Sequence, residues 1–211
     1  MSPRRHRFAP LLPVCAAAVL LAAIVSPVRA EDPGRDDWVG PPPTLPHAAP
    51  DPLHDLDTLF RALKEAPDDD TGKVIENRIW AEWLASGSDT VNLLMARAKS
   101  AIDKNDYDVA VRLLDAVVEI RPQFVEGWNR RATVFFLKKD YASALADLRQ
   151  VIRREPRHFG AYAGLGVIFQ DIGRDADALA AYRKALEINP RLDGLADKIK
   201  TLSVEVEGVP I

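Results

Sequence analysis

Cysteine and histidine are scarce in this 211-residue chain, and each shortage excludes a kind of chemistry. Cys15 is the only cysteine, so no disulfide can form within the chain, and thiol catalysis has a single candidate inside an N-terminal apolar run. Beyond that run only His47, His54 and His158 remain, and none has the His-Glu-x-x-His spacing of zinc hydrolases. The sequence therefore predicts no catalytic, metal or cofactor residues. An enzyme or metal-binding protein built around His54, His158 or the aspartates of 68–70 stays as a weaker alternative.

The charge balance is acidic. The formal net charge is −3, and residues 1–30 contribute four arginines and no acidic residue, so the chain without them carries −7. An acidic domain is a poor binder of nucleic acid or of an anionic membrane surface, because the phosphates would repel it. Hydrophobic residues make up 47% of the chain, which is enough to bury a core and argues against wholesale disorder.

Residues 1–30 have the features of a secretory signal peptide. Three arginines precede an apolar run over 11–25, and small or short side chains occupy the positions that signal peptidase reads before a cut after Ala30. We therefore expect a periplasmic or secreted protein with no stable membrane insertion after cleavage. An uncleaved membrane anchor is the alternative, but Pro13 breaks the run, which is short of the roughly 20 residues of a membrane-spanning helix.

Residues 31–52 contain seven prolines and predict a linker. Proline removes a backbone donor and disfavours helix, and three consecutive prolines over 41–43 favour polyproline II. A semi-rigid spacer is the expected role, and a proline-rich ligand for another domain is the alternative.

One pattern recurs three times between residues 91 and 190, at a period of 34 residues. Four sets of residues share this spacing: Pro122, Pro156 and Pro190; Ala110, Ala144 and Ala178; Leu94, Trp128 and Tyr162; Leu114, Leu148 and Tyr182. A fixed period of this size is typical of stacked structural repeats. Apolar residues at helical spacing precede each proline, which predicts three helix pairs.

These residues resemble the signature of the tetratricopeptide repeat family, which is Trp-x2-Leu-Gly-x2-Tyr, then Ala-x3-Phe, then Pro. The third copy is the nearest match, with Tyr162, Leu165, Gly166, Phe169, Ala178, Tyr182 and Pro190. The second copy has Arg131 and Ala132 in place of Leu-Gly, and the first agrees at Ala98, Ala110, Leu114 and Pro122. The resemblance implies an all-α, right-handed α-solenoid of helix pairs.

The segments on either side of the repeats have weaker patterns. Residues 53–90 predict a degenerate N-terminal helix pair, with a turn over 68–72 and a second helix over about 73–85, and we expect it to cap the array as an atypical terminal repeat. Glu76 stands there where the later repeats have alanine. Residues 191–207 have apolar side chains at three- and four-residue steps, which predicts an amphipathic helix capping the last repeat.

The resemblance also implies a partner-binding groove along the leading helix of each pair. In the family, groove residues lie one place after the large aromatic and then at three- to four-residue steps. Carried onto this chain, they are Met95, Lys99, Ile102, Asn129, Thr133, Phe136, Ala163, Val167 and Gln170. The alternative is that Ile102 and Phe136 simply pack between repeats. Some members hold a partner's carboxylates with a lysine and asparagine clamp, but Lys99 and Asn129 stand in a different combination, so we do not expect that docking role here.

The function that these observations favour is a non-catalytic scaffold or adaptor in the cell envelope, with a protein or peptide as its partner. A partner helix or peptide would lie in the groove. Self-assembly is the main alternative, through the helix of 191–207 or through a face formed by Trp80 and Trp83.

Overall fold

Helices make up all the regular secondary structure of residues 55–208, the part of the chain that the computed structural model describes and part of one compact unit. In chain order they are α1 (Leu56–Glu65), α2 (Asp69–Leu84), α3 (Asp89–Asp103), α4 (Tyr107–Ile120), α5 (Val125–Leu137), α6 (Tyr141–Arg154), α7 (Phe159–Asp171), α8 (Asp175–Ile188) and α9 (Leu195–Glu207). The all-α prediction is confirmed. None of these nine helices is both long and apolar enough to cross a membrane. The predicted signal peptide and linker, with Cys15, His47 and His54, lie outside the described residues.

The three predicted repeats are the pairs α3–α4, α5–α6 and α7–α8. The 34-residue period is also present in the backbone of their turns, because Asn105, Lys139 and Gly173 all have positive φ. Asparagine and glycine tolerate this left-handed conformation and predict it; lysine does not. Asp106 and Asp140 then cap α4 and α6 by accepting from a backbone N–H three residues on. The position in the repeat thus decides the conformation at Lys139 against its local preference.

Small residues allow the two helices of a pair to approach closely. Ala110, Ala144 and Ala178 are fully buried at equivalent places. In the third repeat a Cβ added to Gly166 would lie 2.2 Å from the ring of Tyr182, so only glycine fits there. The hydroxyl of Tyr182 donates to Gln170 at 2.8 Å, which orients the buried ring.

Arg131, which replaces the family's leucine in the second repeat, has a structural role. Its guanidinium donates to both carboxylate oxygens of Asp147 on α6 at 2.8 Å, and to Asp115 on α4 at 2.7 Å. The hydrogen bond to Asp147 raises the pKa of Arg131, so the guanidinium is charged at any ordinary pH. Arg131 therefore ties the first repeat to the second.

The N-terminal helix pair exists, but α2 begins earlier than expected. Residues 69–72 are helical, so the predicted turn over 68–72 is wrong. Asp68 is the N-cap and accepts from the backbone N–H of Thr71 at 2.7 Å, while Asp69 and Asp70 occupy the first turn. Carboxylates in a first turn are stabilised by the helix dipole, so three consecutive aspartates start this helix and do not interrupt it.

The position of this pair corrects the expectation of a terminal capping repeat. We call residues 55–87 the strap, because α2 and the turn after it lie along the turns that join successive repeats. Gly87 accepts from Arg121 at 3.2 Å, Trp83 stacks on His158 with ring centres 4.1 Å apart, and Glu76 accepts from Asn189 at 3.1 Å. These partners lie after α4, α6 and α8 in turn, so the strap spans the whole array.

The face of the first repeat that would meet a preceding repeat, which we call its front, explains why the strap does not stack there as a further repeat. Where the second repeat buries Gly127 and Val134 against the first, the first repeat itself has the exposed residues Leu93 and Ser100 at the equivalent positions. A stacking face needs small side chains and buried apolar ones. The first repeat thus presents a partly polar front, and the strap packs elsewhere.

The C-terminal capping helix is present as α9, although it begins at Leu195 and not at residue 191 as predicted. Leu195 and Leu202 are buried against α8, and Gly194 begins the helix in the left-handed conformation. The ammonium of Lys198 lies 4.8 Å from the ring centre of Tyr182 and adds a cation–π contact.

Candidate partner-binding groove

Two depressions lie side by side along the leading helices. The first, of about 410 Å³, is between α3 and α5. Met95, Lys99, Ile102 and Thr133 line it, as the sequence predicts, and Leu84 at the end of α2 adds an apolar side chain that the repeat pattern could not reveal.

The second depression, of about 200 Å³, is between α5 and α7. Asn129, Phe136 and Val167 line it together with Thr133, which belongs to both depressions. Gly160 and Gly164 leave room on the α7 side because they carry no side chain. Seven of the nine predicted residues therefore meet in one surface, which we call the groove.

The other two predicted residues have different surroundings. Ala163 packs with the apolar cluster of α7, α8 and α9, and Gln170 accepts the hydroxyl of Tyr182. Both sit where α9 and the last pair close the array. Phe136 lies partly against the α5–α6 core and partly in the second depression, so the packing alternative holds for it in part.

The polar groups of the groove are already engaged. Lys99 pairs with Asp103 at 2.7 Å, and the amide of Asn129 donates to Glu126 at 3.1 Å. Arg130, at the edge of the first depression, lies 3.6 Å from the same Glu126. With these partners, Lys99 and Asn129 are not arranged as a free carboxylate clamp.

A buried polar cluster lies beneath the groove, at the N-terminal ends of α5 and α7. His158 and Glu126 are both fully buried, with Nε2 of the histidine 2.8 Å from the carboxylate. The backbone N–H of Ala161 donates to Nδ1 of His158 at 3.0 Å, which assigns the proton to Nε2 and makes it the donor to Glu126. His158 therefore fixes the N-terminal ends of α5 and α7 and has no exposed atom to offer a substrate.

The structure also bears on two alternatives from the sequence, a metal site and self-assembly through Trp80 and Trp83. Within residues 55–208 no group of three or more His, Cys, Asp or Glu side chains could hold a metal ion. The face suggested for self-assembly is largely occupied within the chain, because Trp83 is 6% exposed and the rings of Trp80 and Trp83 both pack against His158 and Phe159.

Comparisons with known proteins agree with this architecture. A family model described as tetratricopeptide repeat matches residues 95–148 and 138–192. A TPR repeat-containing protein of Rhizobium etli is 36% identical over 162 residues, which cover 77% of this chain and 79% of that protein. The small glutamine-rich tetratricopeptide repeat-containing protein 2 of Mycosarcoma maydis is 29% identical over 46% of this chain and 28% of its own length.

Among solved structures, the first TPR domain of Spaghetti (RPAP3), bound to the HSP90 peptide SRMEEVD, aligns with a TM-score of 0.53. It is 18% identical, over 57% of this chain and 95% of that domain, a likeness that concerns the fold alone. The relative from Rhizobium etli is 36% identical over most of both chains, and the family model matches the repeats within residues 95–192. The chain therefore belongs to the tetratricopeptide repeat family.

Proposed function

We propose that this protein is a non-catalytic adaptor of the cell envelope, which binds a peptide or a helix of a protein partner along the groove. The observation that carries the proposal is the meeting of seven predicted residues in two adjoining depressions, with Thr133 common to both. The surface is preformed by packed helices, so a partner would lose its own freedom without having to order the protein. The RPAP3 domain bound to a peptide supports the choice of a peptide as partner class.

The mostly apolar lining of the groove indicates which kind of peptide it would bind. Met95, Ile102, Phe136 and Val167 offer apolar contacts, while Lys99 is already paired with an aspartate. A segment with two apolar side chains spaced to enter neighbouring depressions would fit better than an acidic tail. This is the recognition mode of helix-in-groove complexes.

A substitution at Thr133 tests the groove without disturbing the core. Thr133 is exposed, and an arginine there would project into both depressions. Peptides selected from a random display library on the wild-type protein should bind Thr133→Arg at least tenfold more weakly, or about 1.4 kcal/mol. Ala146→Arg, exposed on α6, is the matched control and should bind as the wild type does. Equal binding by all three proteins would remove the groove from the proposal.

The envelope location is supported by the signal-like features of residues 1–30. N-terminal sequencing of the full chain produced in a Gram-negative bacterium should find Glu31 as the first residue in the periplasmic fraction. Recovery of the intact N-terminus in the cytosol would contradict the location, and recovery in the membrane fraction would favour the anchor.

Self-association through α9 is the second candidate, because Val204 and Val206 are 46% and 37% exposed at its end. Light scattering of the mature chain over a hundredfold range of concentration tests it. A constant monomer mass would exclude this candidate and leave the adaptor proposal intact.

A further inference from the structure

A cleft of about 550 Å³ lies outside the groove, between α1 of the strap and the α7–α8 pair. Four basic side chains line it, namely Arg61, Lys64, Arg157 and Lys184, against one acidic residue, Glu187. This concentration of cations is unusual for a chain whose formal net charge is −3. A local excess of one charge in a concave site raises the concentration of ligands of the opposite sign.

Two of these cations are held in place by carboxylates. Arg157 donates to Asp57 at 2.6 Å and to Glu155 at 3.3 Å. Lys184 donates to Glu187 at 2.8 Å, and this hydrogen bond raises the pKa of the lysine, so its ammonium is charged at neutral pH.

The other two cations remain available. Arg61 and Lys64 are exposed and lie three residues apart, on one side of α1. Among residues 55–208 neither is within 4.0 Å of a carboxylate oxygen, although Lys184 and, at longer range, Lys64 lower the pKa of Glu187. An arginine and a lysine at this spacing can contact the same anionic group, the arginine with a planar pair of donors and the lysine as a point charge.

The floor of the cleft is apolar and aromatic. Ile188 is buried, and Tyr162 is half-buried beside it. The guanidinium of Arg157 covers the ring of Phe60 at 4.5 Å, so the Tyr162 ring is the aromatic surface left for a ligand. Ligand sites in proteins combine such an apolar floor with a few convergent polar groups, in volumes of about 300–1,000 Å³.

We propose that this cleft binds an organic anion, in which a carboxylate or phosphate contacts Arg61 and Lys64 while an aromatic or apolar body packs on Tyr162 and Ile188. The site is formed jointly by the strap and the third repeat, so it is complete only when the strap is docked. It is separate from the groove and does not rest on the adaptor role.

Calorimetric titration of the full chain with small probes tests the chemistry. The probes are phenylacetate, phenyl phosphate, their neutral analogue phenylacetamide, and inorganic phosphate. At least one aromatic anion should bind tenfold or more tightly than phenylacetamide and than inorganic phosphate. Tighter binding of phenyl phosphate would assign the site to phosphate esters, and tighter binding of phenylacetate to carboxylates. No binding, or equal affinity for inorganic phosphate and the aromatic anions, would overturn the proposal.

Two double variants, one in the cleft and one outside it, test whether the anion binds in the cleft. The double variant Arg61→Ala with Lys64→Ala should weaken the aromatic anion at least tenfold. Arg149→Ala with Arg153→Ala removes the same charge from exposed positions on α6 and should stay within twofold of the wild type. Equal weakening by both double variants would mean general charge attraction, and so would overturn the site. Thermal unfolding followed by circular dichroism confirms that each variant is folded before titration.

Discussion

The repeat array and the strap are held by different means. Each repeat joins the next through small and apolar residues at equivalent places, with Val134 buried at the first junction and Ile168 at the second. Arg131 adds an ion pair at the first junction only. The strap contacts the three junctions after α4, α6 and α8 through a different group at each: the backbone carbonyl of Gly87, the ring of Trp83 and the carboxylate of Glu76. A regular array therefore offers evenly spaced docking points, and an irregular segment can use them with chemistry of its own.

The three equivalent positions before the prolines show how the chemistry differs. They carry Arg121, Glu155 and Asn189. Arg121 is exposed and reaches a backbone carbonyl, whereas Asn189 is fully buried and donates to the buried Glu76. The strap should therefore be held firmly at the second and third junctions and weakly at the first.

Among the substitutions that test how the strap is held, removal of Trp83 should cause the largest loss of stability. Its ring is buried and stacks on His158, so Trp83→Ala should lower the free energy of unfolding by about 3–5 kcal/mol, the usual loss for a buried tryptophan. Urea unfolding followed by circular dichroism measures it. A loss below about 1 kcal/mol would mean that the strap is not part of the cooperative fold, because a buried large side chain then would contribute little.

Asn189 and Arg121 test whether the junctions differ. Asn189→Ala leaves the buried Glu76 carboxylate without its amide donor and should cost about 1–3 kcal/mol. Arg121→Ala removes an exposed contact and should change the stability by less than about 0.5 kcal/mol. Both are measured by urea unfolding of the single variants. Equal losses would contradict the view that the strap is held unequally.

Two glycines of α7, one helical turn apart, test whether the strap packs on this helix. Alanine should lower the free energy of unfolding at one of them and raise it at the other. A Cβ on Gly160 would lie 2.7 Å from the Trp80 ring, whereas a Cβ on Gly164 would make ordinary contacts with Leu148. Gly160→Ala should therefore destabilise by about 1–2 kcal/mol through overpacking. Gly164→Ala should stabilise by about 0.5–1 kcal/mol, since alanine is the better helix former. If both substitutions stabilise in thermal or urea unfolding, the strap does not pack on α7.

The same contrast explains what could be predicted from the sequence. The helices α3 to α8 follow from a period that repeats the main apolar and small positions, together with prolines that mark its phase. The docking of the strap does not, because Glu76 and Asn189 are 113 residues apart and their pairing occurs once. A glutamate in an alanine position was the visible signal, and neither its burial nor its partner could be inferred without the fold.

The positions of seven groove residues follow from the family resemblance, placed on this chain by the phase of the repeat. Leu84 comes from the strap and lies outside any period. Ala163 and Gln170 were assigned to the groove by phase but pack with α9 and Tyr182, because the last repeat is followed by a helix of different sequence. Departures from the period thus occur where the array meets its unique segments.

The smallest effect concerns two glycines with the same backbone conformation, one in each region. Gly87 at the end of the strap has φ +65°, and Gly173 in the last repeat has φ +73°, with no atom within 4 Å of an added Cβ at Gly173. In a fully ordered turn, as at Gly173, alanine should cost about 0.5–1 kcal/mol, the left-handed penalty of about 1–2 kcal/mol less the entropy that alanine removes from the unfolded chain. Lys139 shows that the array can impose this conformation on an ordinary residue, so Gly173→Ala should fold normally with that loss. If the first junction is the weak one, the turn at Gly87 can open without unfolding the array, and Gly87→Ala should then cost measurably less than Gly173→Ala in urea unfolding. Equal losses would show that the strap is as firmly held at its C-terminal end as the repeats are to one another.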